Sequence, residues 1–118
     1  MLTYAPSHAF TPAVAPPTTA QARAAADVLR LMADPTRLRL LAALTQADRD
    51  VTELTELAGV PRPAVSQHLG RLRLGGLVQA EPDGRRRIYR LRNGHVRRLV
   101  QETLAHADHL LSGLPDHE

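Results

Sequence analysis

From Ala20 onward, Ala22, Ala25, Ala26, Leu29 and Met32 recur at helical spacing, which predicts a first helix whose small residues allow close approach of another helix. Asp34 followed by Pro35 is a cap residue ahead of a proline at a first helical position. Leu38, Leu41, Ala42 and Leu44 then supply a buried stripe, so a second helix runs from about Pro35 to Leu44. Thr52 is expected to cap a short third helix carrying Leu54, Leu57 and Ala58 and ended by Gly59. The stretch PRPAVSQHLGRLRLGG predicts a fourth helix. Val65, Leu69, Leu72 and Leu74 turn inward, Arg62, Ser66, Gln67, Arg71 and Arg73 stay outside, and Gly75 and Gly76 stop it. Two short helices joined by a tight turn make a helix-turn-helix.

In LVQAEPDGRRRIYRL, Leu77, Val78, Ile88, Tyr89 and Leu91 flank a Pro-Asp-Gly turn, a pattern suited to a hairpin. Asn93 caps a last helix with Val96, Leu99, Val100, Leu104 and Ala107 on one side, closed near Ser112 by Gly113 and Pro115. Residues 1–19 hold Pro6, Pro12, Pro16 and Pro17 without helical periodicity and are expected to be a flexible tail; residues 113–118 form a second tail. The expected architecture is mainly α with a small β-hairpin. It is a winged helix-turn-helix in the order ααααββα, occupying residues 20–112 as one domain.

Composition narrows this picture. A chain of 118 residues with 43% hydrophobic side chains suits one core. Its three aromatics (Tyr4, Phe10 and Tyr89) leave that core to Leu, Val, Ala and Ile. The absence of Cys excludes disulfides, thiolate metal sites and cysteine nucleophiles. No apolar run approaches the roughly 20 residues that span a bilayer, and no signal-peptide pattern opens the chain, so a soluble cytoplasmic protein without membrane partners is expected. No nucleophile elbow or glycine-rich phosphate loop accompanies Ser66 and the histidines, which argues against an enzyme.

The formal net charge is +3, and all 15 basic residues are Arg, which forks bidentately onto phosphate or guanine. Between Val60 and Arg98 ten Arg face only Glu81 and Asp83, so this segment carries 10 − 2 = +8. Such charge on defined elements points to nucleic acid. In a helix-turn-helix the second helix enters the major groove of double-stranded DNA. Ser66 and Gln67 are the candidates for base contact, and Arg62 for guanine or phosphate. Arg71 lies on the same outer side, and Thr52 sits where the preceding helix meets the strand. His68 either faces the groove or is a partly buried structural residue. Arg85, Arg86 and Arg87 alternate direction along the wing, so two of them reach the backbone or minor groove.

His95, His106 and His109 share one face of the last helix, because at about 100° per residue steps of 11 and 14 return within about 20° and 40° of the start. Along the axis His95 and His106 lie about 16 Å apart, beyond the span of ligands on one ion. An antiparallel copy from a second subunit would close the gap, giving two intersubunit metal sites in a two-fold homodimer. The alternative is a set of surface histidines without a metal.

The residues LRLMADPTRLRLLAAL, VTELTELAGVPRPAVSQHLGRLRLGGLV, the DGRRRIYRL wing and NGHV together resemble the ArsR/SmtB family of metal-responsive bacterial repressors over roughly residues 22–112. The resemblance implies a dimer through the first and last helices and release of operator DNA on effector binding. The family's Cys-x-Cys box is missing from the third helix, where residues 53–57 hold no Cys. Its last-helix sensors for zinc, cobalt and nickel carry Asp-x-His and then His-x-x-His. His95, His106 and His109 match, with Asn93 at the acidic position. Asp108 with His109, and His117 with Glu118, are similar to additional ligands of the nickel and cobalt sensors. His8 and the α-amino group are further donors. Nickel is favoured over cobalt or zinc, because nitrogen-rich sites suit it and it takes six ligands readily. A metal-independent winged-helix regulator, or an activator working with a protein co-regulator, remains the alternative.

Overall fold

In the computed structural model, which describes residues 15–113, the elements follow as α1 (Thr19–Met32), α2 (Pro35–Gln46), β1 (Arg49–Asp50), α3 (Val51–Ala58), α4 (Arg62–Leu74), β2 (Val78–Asp83), β3 (Arg86–Leu91) and α5 (Gly94–Leu111). Among the described residues five helices accompany one small antiparallel sheet of order β1-β3-β2. This is the winged helix-turn-helix that the hydrophobic pattern predicts, with one element added. Strand β1 has two residues, pairing Arg49 with Tyr89 and Asp50 with Ile88. It carries no periodic signal because long-range pairing alone creates it.

Side-chain caps fix most helix starts. Thr18 and Gln21 form a reciprocal capping box on α1, and Asp34 Oδ1 accepts from the Arg37 N–H at 3.0 Å on α2. Helix α3 starts two residues earlier than expected: its cap is Asp50, not Thr52. Asp50 Oδ1 accepts from the Glu53 N–H and Glu53 Oε1 accepts from the Asp50 N–H, both at 2.9 Å. A carboxylate with a Glu three residues on satisfies two helix-end donors, whereas Thr52 satisfies neither. Asn93 Oδ1 caps α5 through the Val96 N–H at 3.0 Å, as expected. At the end of α3, Gly59 takes φ +69°, a left-handed conformation that lets the chain turn directly into α4.

The core gathers Leu40, Leu41 and Leu44 of α2, Leu54 of α3, Val65, Leu69 and Leu72 of α4, Val78 of β2 and Val100 of α5, with Tyr89 and Met32 at its edges. One inward assignment fails. Leu74 is 81% exposed, because two residues beyond Leu72 a helix has turned by about 200°. Leu57 is 54% exposed and lies over an open groove with Arg39, Ala42 and Gln46 instead of entering the core. The hairpin turn also shifts: Pro82 and Asp83 belong to β2, Asp83 pairs with Arg86, and Gly84 (φ +66°) with Arg85 forms the two-residue tip. Helix α1 buries only Met32, leaving Ala22, Ala25 and Leu29 in solvent. On the distal half of α5, Leu104, Leu110 and Leu111 are likewise exposed. At the junction of α1 and α4, Leu31 packs so closely on Gly75 that a Cβ there would lie 2.0 Å from its methyl group.

Two expectations follow. Leu69→Ala lowers unfolding free energy by about 2–5 kcal/mol, whereas Leu74→Ala changes it by no more than about 0.5 kcal/mol, measured by urea denaturation. The N–H of Arg37 on Asp34, and that of Glu53 on Asp50, hold both carboxyls below their ordinary range. A carboxyl depressed on folding stabilises the protein fully above its unfolded value and loses that contribution as pH falls through the folded value. Asp34→Asn therefore makes the acid side of the stability curve shallower, read as the change in urea midpoint between neutral and acidic pH.

Candidate nucleic-acid interface and histidine face

Val65, Leu69 and Leu72 root α4 in the core, which turns Ser66 and Gln67 outward together with Arg62, Arg71 and Arg73. No side chain caps the start of α4, where Pro61 occupies the N-cap position. Arg62 Nη1 donates to Thr52 Oγ1 at 3.2 Å, so the first turns of α3 and α4 present an arginine and a hydroxyl side by side. With Arg85, Arg86, Arg87, Asp50 and Val51 they line a cleft of about 170 Å³ between the helix-turn-helix and the wing.

The three wing arginines have different surroundings. Arg85 is exposed at the hairpin tip, and the Arg87 guanidinium lies 5.9 Å from the Tyr89 ring centroid, a cation–π contact. Arg86 Nε donates to Asp50 Oδ2 at 2.8 Å and its Nη2 lies 3.5 Å from Glu53 Oε1. The Asp50 carboxylate raises the Arg86 pKa above its ordinary value. Asp50 and Glu53 were not among the sequence candidates. The Asp-x-x-Glu spacing at a helix start is the signal that would have found them.

His68 is half-buried, and its ring points to the α1–α2 junction: Arg37 Nε donates to His68 Nδ1 at 3.0 Å, and Asp34 Oδ1 lies 4.0 Å from His68 Nε2. The same Arg37 donates through Nη1 to the Leu31 carbonyl at 3.1 Å, so one guanidinium links the end of α1 to α4. Of the two roles open to His68 in the sequence, the half-buried one matches this setting.

On α5 the imidazoles of His95, His106 and His109 are all exposed. His95 Nδ1 lies 3.0 Å from Arg98 Nη2. Asp108 is exposed near the end of the helix, and the backbone carbonyls of Asp108 and His109 accept from the N–H and hydroxyl of Ser112. Asn93, weighed as a donor, uses its carbonyl oxygen as the α5 cap. His8, His117, Glu118, the α-amino group and most of both tails lie outside the described residues. Among the described residues of one chain, no three His, Cys, Asp or Glu side chains converge where they could hold a metal ion. That agrees with the axial separation of His95 from His106.

Residues 34–80, which span α2 through the start of β2, match the model of the bacterial regulatory protein arsR family. The chain is 44% identical over 91 residues to the HTH-type transcriptional regulator KmtR of Mycobacterium tuberculosis, covering 77% of this chain and 70% of that protein. It is 40% identical over 93 residues to the HTH-type transcriptional repressor SmtB of the same species, covering 79% of this chain and 69% of the relative. Among solved structures it resembles the homodimeric winged helix-turn-helix DNA-binding domain of a Mycobacterium bovis protein, with TM-score 0.74 and 30% identity over 89% of this chain and 100% of the other. These relatives and this fold are those of DNA-binding transcriptional regulators, not of enzymes. The helix-turn-helix, the wing and the sequence likeness across both meet in one conclusion: the chain belongs to the ArsR family of bacterial regulatory proteins, the ArsR/SmtB family that its motifs resemble.

Proposed function

We propose that the protein is a homodimeric, metal-responsive transcriptional repressor, with nickel as the favoured metal, acting in the cytoplasm on a pseudo-palindromic operator. The observation that carries the metal reading is the set of three exposed imidazoles at positions 95, 106 and 109 of α5. The exposed apolar residues of α1 and α5, among them Leu29, Leu104, Leu110 and Leu111, support pairing of these two helices with a second copy. The homodimeric relative supports the same assembly. The unit that binds DNA and dimerises runs from Thr18, the cap of α1, to Ser112 at the end of α5, so it begins two residues before the expected 20–112.

In this reading His106 and His109, one helical turn apart, form half of a nitrogen donor set that His95 of the other protomer completes. Asp108, His117, Glu118 and His8 are available to fill a six-coordinate shell. Imidazole donors suit nickel, cobalt and zinc, and the affinity order among divalent ions places nickel above cobalt. A bound ion supplies a cross-link between the two α5 helices, and its effect on DNA runs through the relative placement of the two α4 helices. Metal and operator then change each other's affinity by the same factor. On the DNA side, Ser66 and Gln67 meet base edges in the major groove, while Arg62, Thr52, Arg71, Arg85 and Arg87 hold phosphates.

Calorimetric titration with nickel, cobalt and zinc tests the metal site. One ion per protomer is expected for nickel, and His95→Ala or His106→Ala removes this stoichiometric binding while leaving metal-free DNA affinity unchanged. Unaltered nickel affinity in both variants would defeat the assignment. Asn93→Asp keeps the α5 cap and adds a carboxylate, so it tightens metal binding at unchanged thermal stability. For DNA, Gln67→Ala relaxes discrimination at one base pair by about 1–3 kcal/mol in a binding-site selection, whereas Arg71→Ala weakens all sequences alike and lowers the salt slope by about 1.

A further inference from the structure

We propose that Asp50 is the positioning residue of the wing: its carboxylate, with Glu53 beside it, holds Arg86 so that the hairpin tip stands at a set distance from the helix-turn-helix. In this arrangement Arg86 is the wing's anchor to the protein, and Arg85 and Arg87 are the wing residues left to meet the nucleic acid. The inference rests on the reading of the cleft between α3 and the wing as a DNA-contacting surface.

Both oxygens of Asp50 are engaged, and on different parts of the fold. Oδ1 takes the Glu53 N–H of α3, and Oδ2 takes Arg86 Nε from the hairpin, 36 residues away. Glu53 repeats the pattern with the same Oε1, which accepts from the Asp50 N–H and faces Arg86 Nη2. The capping box orders both carboxylates before the arginine arrives. An ordinary surface ion pair gains little because two long side chains must be immobilised together. Here one partner is short, only 17% exposed and already fixed by its backbone bond.

The place of the pair in the sheet gives it something to hold. Strand β1 supports β3 only as far as the Asp50–Ile88 pair. Beyond it, Pro82 to Arg87 project as a two-stranded ribbon, a form that is marginally stable by itself. Among the described residues, no side-chain hydrogen bond or ion pair other than those of Arg86 ties this tip to α3.

The sign of the charges is the second argument. Asp50 and Glu53 are acidic residues at the edge of a cleft whose other charged residues are Arg62, Arg85, Arg86 and Arg87. Toward a polyanion they are repulsive, so a purely electrostatic surface would lack them. They are accounted for if their work is internal. The Arg86 contact also helps hold Asp50 ionised and Arg86 protonated, so the pair is complete at neutral pH.

The opposing expectations for Asp50→Asn make the test. Asn caps a helix about as well as Asp, so α3 is preserved while the charge is lost. The probe is a fluorescein-labelled duplex enriched from a random pool by the full-length wild-type protein, followed by anisotropy and hydroxyl-radical footprinting. With the clamp, Asp50→Asn binds about tenfold more weakly, within the range of coupling between contacting residues. Protection on the flank under the wing disappears while protection under α4 remains. Arg86→Ala then adds no further loss in the Asp50→Asn background. Unchanged or tighter binding by Asp50→Asn overturns the proposal, as does an Arg86→Ala loss equal in both backgrounds, which would place Arg86 on the DNA. Should Asp50→Asn fail to fold, Arg86→Gln at the exposed tip decides instead. Loss of protection across the whole wing flank supports the clamp, and loss at a single phosphate overturns it. If Gln67→Ala and Arg85→Ala leave binding unaltered, the DNA face itself is misassigned and the clamp falls with it.

Discussion

An α-helix can give only one side to a core, and α4 gives the side carrying Val65, Leu69 and Leu72, all fully buried against α2, α3 and β2. With that side committed, Ser66 and Gln67 have no direction left but outward. The rest of the molecule keeps this helix in place. Gly59 turns the chain so that α3 can lead into it, Leu31 presses α1 onto Gly75 at its far end, and Arg37 bonds His68 on its flank. A cavity under Leu69 would displace Ser66 and Gln67 as well as weaken the core, because packed interiors transmit such changes.

The fifteen arginines do several kinds of work, and their number overstates the charge offered to DNA. Arg37, Arg49 and Arg97 donate to the backbone carbonyls of Leu31, Ala43 and Thr45 at helix ends. Arg86 is held by Asp50, and Arg90 is paired with Glu81 and Asp48. Of the ten arginines between Val60 and Arg98, at least Arg86, Arg90 and Arg97 are thus engaged inside the fold. The surplus of +8 in that segment is real, but Arg62, Arg71, Arg73, Arg85, Arg87, Arg92 and Arg98 carry its accessible part. A guanidinium suits both tasks because its planar fork binds carbonyl, carboxylate and phosphate alike.

Helices α1 and α5 look incomplete in a single chain. Among the described residues their exposed leucines and alanines have no counterpart, and His95 lies too far along α5 from His106 and His109 to act with them. A second copy answers both needs with one symmetry operation. The proposed metal response and the proposed assembly are therefore a single hypothesis: the surface that dimerises is the surface that would sense.

Most of the local signals in the sequence held, although the Thr52 cap, the inward Leu74 and the position of the hairpin turn did not. Asp34–Pro35, Asn93, Gly59 and the spacing of Val65, Leu69 and Leu72 determined where helices begin, end and bury themselves, because caps and helical faces involve residues within about four positions of one another. Those same signals determined the winged helix-turn-helix and the outward direction of Ser66 and Gln67. Tertiary structure alone decided which arginines are free. Arg86 meets Asp50 across 36 residues and Arg37 meets His68 across 31, separations at which sequence spacing carries no directional information. The start of α3 at Asp50 is written locally in the Asp-x-x-Glu spacing, and tertiary structure decided only that the same Asp50 also stands in a two-residue strand and an ion pair with the wing. Composition and periodicity set which residues could be used. The long-range pairing of β1 with β3 set what each was used for.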